Sequence, residues 1–260
     1  MLELKDVSAY LEDAAGRNRV FGPLSLQVQT GEICTIIGPS GCGKTSLLRT
    51  LAGLEESFDG SIQMDGKYLK PITSKIAYVP QTFGLLEFKT VRENILLPLK
   101  IRDISINKEL IWRFYYLTGR LNIEDILDEY PAQLSISQRQ SIAIARSLVM
   151  KPDLLLMDEP FCSLDSLSRE CAQKKLKEIL MEFGTTTLMV THSIEEAIYL
   201  GNRVIVLSSG AGKIIADITA LDSRDEDRVS TRFVKLTSII RQLIKEDWRE
   251  NRYEKNNNIC

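Results

Sequence analysis

The sequence has one histidine, His192, and little else that speaks for metal or redox chemistry. Its five cysteines (34, 42, 162, 171 and 260) are odd in number, widely spaced and without a CxxC pair. That pattern argues against a disulfide framework or a cysteine zinc site and for reduced thiols. An excess of one charge is also missing: 33 Lys+Arg stand against 35 Asp+Glu, a formal net charge of −2. A near-neutral balance removes the electrostatic case for a nucleic-acid partner. No apolar run approaches the roughly 18 residues a spanning helix needs. The opening MLELKDVSAYLEDAAGR carries acids and no apolar segment, so it does not read as a signal peptide. These absences together predict a cytoplasmic chain. What remains is 260 residues, 44% of them apolar, enough for one large domain or two small ones with a packed core.

Short aliphatic runs read as buried strands at Ile33–Ile37, Ala77–Val79, Leu154–Met157, Thr187–Val190 and Arg203–Leu207. Helical stretches alternate with them at Thr45–Leu54, Gln138–Met150, Ser166–Phe183 and Ile194–Gly201. Alternation of this kind predicts an α/β fold around a parallel sheet. Residues 1–30 differ: Leu2–Leu11 and Leu24–Gln29 look like short strands of an antiparallel layer. Residues 84–130, with Trp112, Phe114, Tyr115 and Tyr116, read as a helical insertion. Near the C-terminus Val229, Phe233, Leu236, Ile239, Ile240, Leu243, Ile244 and Trp248 recur at spacings of three and four, the stripe of an amphipathic helix. Ser223 with Glu226 is the predicted capping box for it. Packing on the domain's own surface and contact with a partner are both open for this helix. A polar stretch follows from Arg249.

The strongest motif is Gly38-Pro39-Ser40-Gly41-Cys42-Gly43-Lys44-Thr45, followed by Ser46. It fits GxxxxGK[ST], follows a predicted strand and opens a Leu-rich helix. Glycines let the backbone turn its N–H groups toward one point, and a helix N-terminus adds positive partial charge, which is what a polyphosphate needs. Lys44 has the reach for the β- and γ-phosphates, and the Thr45 hydroxyl is a ligand candidate for Mg²⁺. A second element, Leu154-Leu-Leu-Met-Asp158-Glu159-Pro160, is an aliphatic strand ending in two acids. Ligand sites in open α/β sheets form at that end of the strands. Asp158 is the predicted Mg²⁺ holder and Glu159 the general base for an attacking water. His192 follows the strand Thr187–Val190 in the same way and is placed to orient the γ-phosphate or the water.

With these elements in order, the chain resembles the ATP-binding subunits of ABC transporters over about residues 2–220. The phosphate loop is similar to Walker A, and Ala77-Tyr-Val-Pro-Gln81 to the Q-loop. Leu134-Ser-Ile-Ser-Gln138-Arg-Gln140 stands where the signature LSGGQ belongs. Leu154–Pro160 resembles Walker B, Ser163-Leu164-Asp165 the D-loop, and Thr191-His192 the switch histidine. The resemblance implies a P-loop ATPase with an N-terminal antiparallel β layer, a parallel core sheet and a helical subdomain at about 84–150, the cassette filling 1–220 and a helix and tail 221–260. It implies ATP and Mg²⁺, with Thr45, Gln81 and Asp158 near the metal, and a catalytic role for Gln81, which would sense Mg²⁺ or the attacking water and report to the membrane side. Ser135, Gln138 and Asp165 would face a second subunit in a head-to-tail dimer that buries two ATP molecules. It implies integral-membrane permease partners, a solute-binding protein acting indirectly, and a peripheral place on the cytoplasmic face of the membrane. Tyr10 is the candidate for stacking on adenine, with Phe21 as the fallback.

The signature departs from the family pattern: Ile136 and Ser137 replace both glycines. A Cβ there threatens close approach to the opposite γ-phosphate, and β-branched Ile restricts the backbone. Two arrangements follow, a homodimer with slow sites or a heterodimer with an intact partner. The run Asp158-Glu-Pro-Phe-Cys-Ser-Leu-Asp165-Ser-Leu-Ser-Arg-Glu170, with Thr191–Ala197, Arg203–Ser208 and Leu85–Asn94, resembles importers for nitrate, aliphatic sulfonates and taurine. A regulatory nucleotide-binding subunit and an ABC ATPase without a transporter are the alternatives.

Overall fold

The computed structural model describes residues 1–13, 16–71, 74–209, 212–220 and 228–257. In chain order the first stretch holds β1 (Leu2–Asp13), β2 (Gly16–Val28), β3 (Ile33–Ile37), α1 (Lys44–Leu51), β4 (Phe58–Met64) and β5 (Lys67–Tyr68). The middle holds β6 (Ile76–Val79), α2 (Val91–Ile101), α3 (Lys108–Leu121), α4 (Ile136–Val149), β7 (Leu154–Asp158) and α5 (Ser166–Phe183). The last holds β8 (Thr187–Thr191), α6 (Ile194–Leu200), β9 (Arg203–Leu207), β10 (Ile214–Thr219) and α7 (Thr231–Asn257). Two compact units result, Met1–Ser74 joined by Thr186–Cys260, and Lys75–Thr185 between them.

The discontinuous unit contains the antiparallel layer expected from the first thirty residues, in the order β2-β1-β4-β5. Its strands are longer than the sequence suggested, and β4 and β5 were not legible as strands. Leu2, Leu4, Val7 and Ala9 of β1 are buried, as are Leu24, Leu26 and Val28 of β2. The period of two on β2 is that of a sheet with one covered face. The same unit holds β3 in parallel pairing with β8 on one side and β9 on the other, and β10 runs antiparallel to β9. Every residue of β3 and of β8 is buried, which is why these strands read as unbroken aliphatic runs.

The tail helix α7 belongs to this unit. Phe233 and Ile240 are buried in a cluster with Ile37, Ile198, Val204 and Val206, and Leu236 and Ile244 pack at its edge. Arg241 adds an ion pair to Glu195 of α6 at 2.9 Å. The helix thus packs Phe233, Leu236, Ile240 and Ile244 on the unit's own surface, while Ile239 of the same stripe is exposed. Val229 precedes the helix and is exposed, and Trp248 is half exposed. The Ser223–Glu226 cap lies outside the described residues; among those described, the Ser230 hydroxyl accepts the Phe233 N–H at 3.2 Å.

In the continuous unit β6 pairs in parallel with β7, and α2 to α5 supply the helices. Thr90 and Glu93 form a capping box at the start of α2. The Asn94 amide, fully buried, donates to the Leu86, Lys89 and Thr90 carbonyls and accepts the Leu86 N–H, pinning the segment before α2. Arg113 is buried on α3. Its Nε donates to the Leu148 carbonyl at 2.7 Å and its guanidinium lies 3.6 Å from the Phe183 ring centroid. Burial lowers its pKa to about 10.

Candidate functional site

The phosphate loop leaves β3 and enters α1. Gly43 caps α1 with φ +93°, in the left-handed region. A Cβ on Gly43 would lie 2.3 Å from Phe21 Cβ and 2.6 Å from the Val20 carbonyl oxygen, so both the conformation and the space demand glycine. Lys44 is only 5% exposed, and its Nζ donates to the Gly38 and Pro39 carbonyls at 2.8 Å each. The loop's own carbonyl oxygens thus hold the ammonium within the turn. Cys42 is buried beneath it, and burial raises its thiol pKa. Thr45 is exposed and Ser46 partly so on the first turn of α1.

The register of β3 and β8 sets Ile37 opposite Thr191. Gly38 and His192 therefore leave the sheet at the same edge, the carboxyl end, and His192 is exposed there. Tyr10 on β1 is half-buried. Its hydroxyl bonds to Asp59, which raises its pKa, and the Arg17 guanidinium sits 3.7 Å from its ring centroid. One face of that ring is already covered. Phe21, the fallback, is 2% exposed and packed under Gly43, so it is a core side chain and offers no face to a base.

In the continuous unit the register sets Val79 opposite Met157, and two residues on each chain past that pair come Gln81 and Glu159. Gln81 Nε2 donates to Glu159 Oε2 at 3.5 Å. Asp158 is 4% exposed, with the Tyr78 hydroxyl donating to its Oδ2 at 3.3 Å. Glu159 has φ +46°, uncommon for a residue with a Cβ. A left-handed turn there swings consecutive carboxylates away from the strand's alternation.

Ser135 and Gln138 form a reciprocal capping box on α4: Gln138 N donates to Ser135 Oγ at 3.3 Å, and Ser135 N to Gln138 Oε1 at 2.9 Å. Ile136 and Ser137 are the first two residues of the helix. Neither has a positive φ. The backbone restriction expected from replacing both glycines therefore does not arise, and only the added side-chain volume remains, with Ile136 half exposed. Asp165 caps α5 by accepting the Ser168 N–H at 3.1 Å, and the Ser168 hydroxyl and N–H hold its carboxyl below the usual range.

Two contributors escaped sequence reasoning. Arg146 of α4 donates to the carbonyls of Phe83 and Gly84, tying the segment after Gln81 to the signature helix. Cys162 places its sulfur 3.6 Å from Gln81 Nε2. Neither stood out because an Arg on a helix and a Cys in a turn carry no spacing signal.

A Gly-rich loop from a buried parallel strand to a helix, a lysine held within it and a strand-end pair of acids define a P-loop NTPase. Residues 21–162 match the ABC transporter family. The chain is 35% identical to an uncharacterized ABC transporter ATP-binding protein of Methanocaldococcus jannaschii, over 95% of this chain and 92% of that protein. It is 36% identical to the aliphatic sulfonates import ATP-binding protein SsuB of Bacillus cereus, over 82% and 83% respectively. With the spermidine/putrescine import ATP-binding protein PotA of Haemophilus influenzae it shares 37% over 81% of this chain and 56% of that one. A solved dimer of the ATP-binding cassette MJ0796, in a post-hydrolysis state bound to ADP and Pi, superimposes with a TM-score of 0.74 at 29% identity, covering 85% of this chain and all of the other. The chain belongs to the ATP-binding subunits of ABC transporters, a family of ATPases.

Proposed function

We propose that this chain is the ATP-hydrolysing subunit of an importer and couples hydrolysis to passage of a small solute through separate integral-membrane permease subunits. The observation that carries the reading is the phosphate loop with Lys44 held by its own carbonyls; the other unit adds Asp158 and Glu159 at a strand end. Lys44 and the backbone N–H groups of residues 40–46 bind and neutralise the β- and γ-phosphates. Glu159 takes the proton of the attacking water, and His192 holds the γ-phosphate in line. Tyr10 stacks on adenine by the ring face that Arg17 leaves open. Phosphoryl transfer needs positioning and charge neutralisation rather than covalent help, and this set supplies both.

A divalent ion fits the donor chemistry. The Thr45 hydroxyl, the Asp158 carboxylate and the Gln81 amide oxygen are hard oxygen donors, as Mg²⁺ prefers. No group of three or more His, Cys, Asp or Glu that would cage an ion is found among the described residues. That suits an ion bound through few side chains together with the nucleotide's phosphates. Bound there, Mg²⁺ would neutralise charge on the β- and γ-phosphates.

Two subunits, head to tail, would enclose two nucleotides, with Ser135, Gln138 and Asp165 of each facing the nucleotide on the other. Among the described residues no helix is long and apolar enough to cross a membrane. Attachment at the cytoplasmic face would therefore run through the permease, and a solute-binding protein would act on the far side. Likeness to the sulfonate importer subunits supports a small organic anion such as a sulfonate or taurine, or nitrate, as the solute. The test is Mg-ATP turnover by the purified chain, alone and with its co-purified permease. Turnover in the wild type that vanishes in Glu159→Gln, with nucleotide binding kept, supports a motor subunit. Binding with no turnover in either form favours a regulatory subunit.

A further inference from the structure

Cys162 lies three residues past Glu159, in the turn that leads to α5, and its side chain is exposed. That turn is closed by the Cys162 N–H donating to the Glu159 carbonyl at 3.3 Å, which holds the Cys162 backbone beside Glu159. Gln81 Nε2 is shared between two acceptors, Glu159 Oε2 at 3.5 Å and Cys162 Sγ at 3.6 Å. Both contacts are long for an amide donor to oxygen, and ordinary for one to sulfur, whose radius is larger. A third atom completes the group: Ser163 Oγ lies 3.6 Å from the Cys162 sulfur. Either atom can donate in that contact, and in both cases a sulfur lone pair remains for the amide.

We propose that Cys162 is a positioning residue for hydrolysis: its sulfur holds the Gln81 amide beside Glu159 and so fixes the orientation of both groups before the water is activated. The proposal rests on the ATPase reading above. An amide with only the carboxylate to bind would swing fully onto Glu159. That would occupy one oxygen of the general base and turn the amide oxygen away from where it is needed. By sharing the N–H₂ group, the sulfur weakens the hold on the carboxylate and keeps Gln81 in reach of it. Serine at this position preserves a lone pair for the amide, whereas alanine does not.

Two measurements test this. In steady-state hydrolysis, Cys162→Ala should lower kcat about three- to tenfold with KM for Mg-ATP unchanged within about twofold, the loss expected from one hydrogen bond. Cys162→Ser should restore most of the rate. In the absence of nucleotide, alkylation of Cys162 by N-ethylmaleimide, followed by peptide mass spectrometry, should quicken at least about twofold in Gln81→Ala, because the Gln81 side chain lies against the sulfur and shields it from the reagent. Cys171, exposed on α5, serves as the internal standard. Cys162→Ala with wild-type kcat, Cys162→Ser no better than Ala, or unaltered alkylation in Gln81→Ala each overturns the proposal. A wild-type chain without any turnover defeats the ATPase reading instead, and shows it before any Cys162 variant is compared.

Discussion

Gly43 is the residue in the phosphate loop with least freedom to change. Gly43→Ala would drive a methyl into Phe21 and the Val20 carbonyl while holding an L-residue at φ +93°. A loss of about 2–3 kcal/mol is expected from that strain and overlap, read as a lowered thermal midpoint, with nucleotide affinity falling alongside. Lys44→Ala leaves the turn its glycines and removes the ammonium that bridges the Gly38 and Pro39 carbonyls. Titration with a fluorescent ATP analogue should show at least about tenfold weaker binding, the scale of a lost charge-assisted contact. Stability should change far less than in Gly43→Ala, and the opposite order would mean that the lysine holds the fold instead of the ligand. The lysine was legible as a motif. The burial of Phe21 was not, because an aromatic on an amphipathic strand reads the same whether it faces a base or a core.

The signature helix separates capping from recognition. Ser135→Ala removes one half of the capping box on α4 and should cost about 1 kcal/mol in chemical denaturation. The double variant Ile136→Gly with Ser137→Gly places two poor helix formers in the first turn, at up to about 1 kcal/mol each. If the two side chains obstruct the opposite nucleotide, its turnover rises despite that loss. An unchanged or lower kcat would assign the slow step elsewhere. On β9 and β10, Arg203 binds Asp217 in a two-point pair, Nε to Oδ1 at 2.6 Å and Nη2 to Oδ2 at 2.5 Å. Arg203 holds the Asp217 carboxyl below its usual range. The pair's contribution is therefore complete above the ordinary carboxylate pKa near about 4 and is lost as pH falls through the depressed value. Asp217→Asn should lower the melting temperature at pH 7 and have a shrinking effect below pH about 4. Solvent exposure of the pair keeps the effect modest.

At the level of the molecule, an assembly experiment distinguishes the two subunit arrangements. Glu159→Gln with Mg-ATP should run as a dimer in size-exclusion chromatography if two identical chains close on each other. A persistent monomer would point to a different partner with its own signature. The buried strands β3, β7, β8 and β9 stood out in the sequence within a residue of their ends, because a strand covered on both faces leaves no polar position to confuse the pattern. The antiparallel layer was half legible. Phe58–Met64 contains Asp59, Gly60 and Ser61, which leave three successive positions without an apolar side chain and mask the alternation, and Gly60 is there because a Cβ would meet the Lys5 and Asp6 carbonyl oxygens at 2.5 Å. The acids, the phosphate loop and the histidine carry a signal of type and spacing in the sequence. The Gln81–Cys162 contact did not, since it depends on how a turn folds back and on nothing periodic.

The unit that carries the phosphate loop is made of two stretches of chain, and β3 pairs only with β8 and β9, from the second of them. During synthesis, β3 and the loop leave the ribosome long before residues 187–207 exist to flank them. Lys75–Thr185 is one continuous stretch, whereas the unit that carries the phosphate loop waits for its second stretch. Nucleotide binding is thereby a late property of the nascent chain. A translation arrest ahead of β8 would release a polypeptide with its most apolar strand unpaired, and such a fragment is a client for chaperones rather than a weak ATPase.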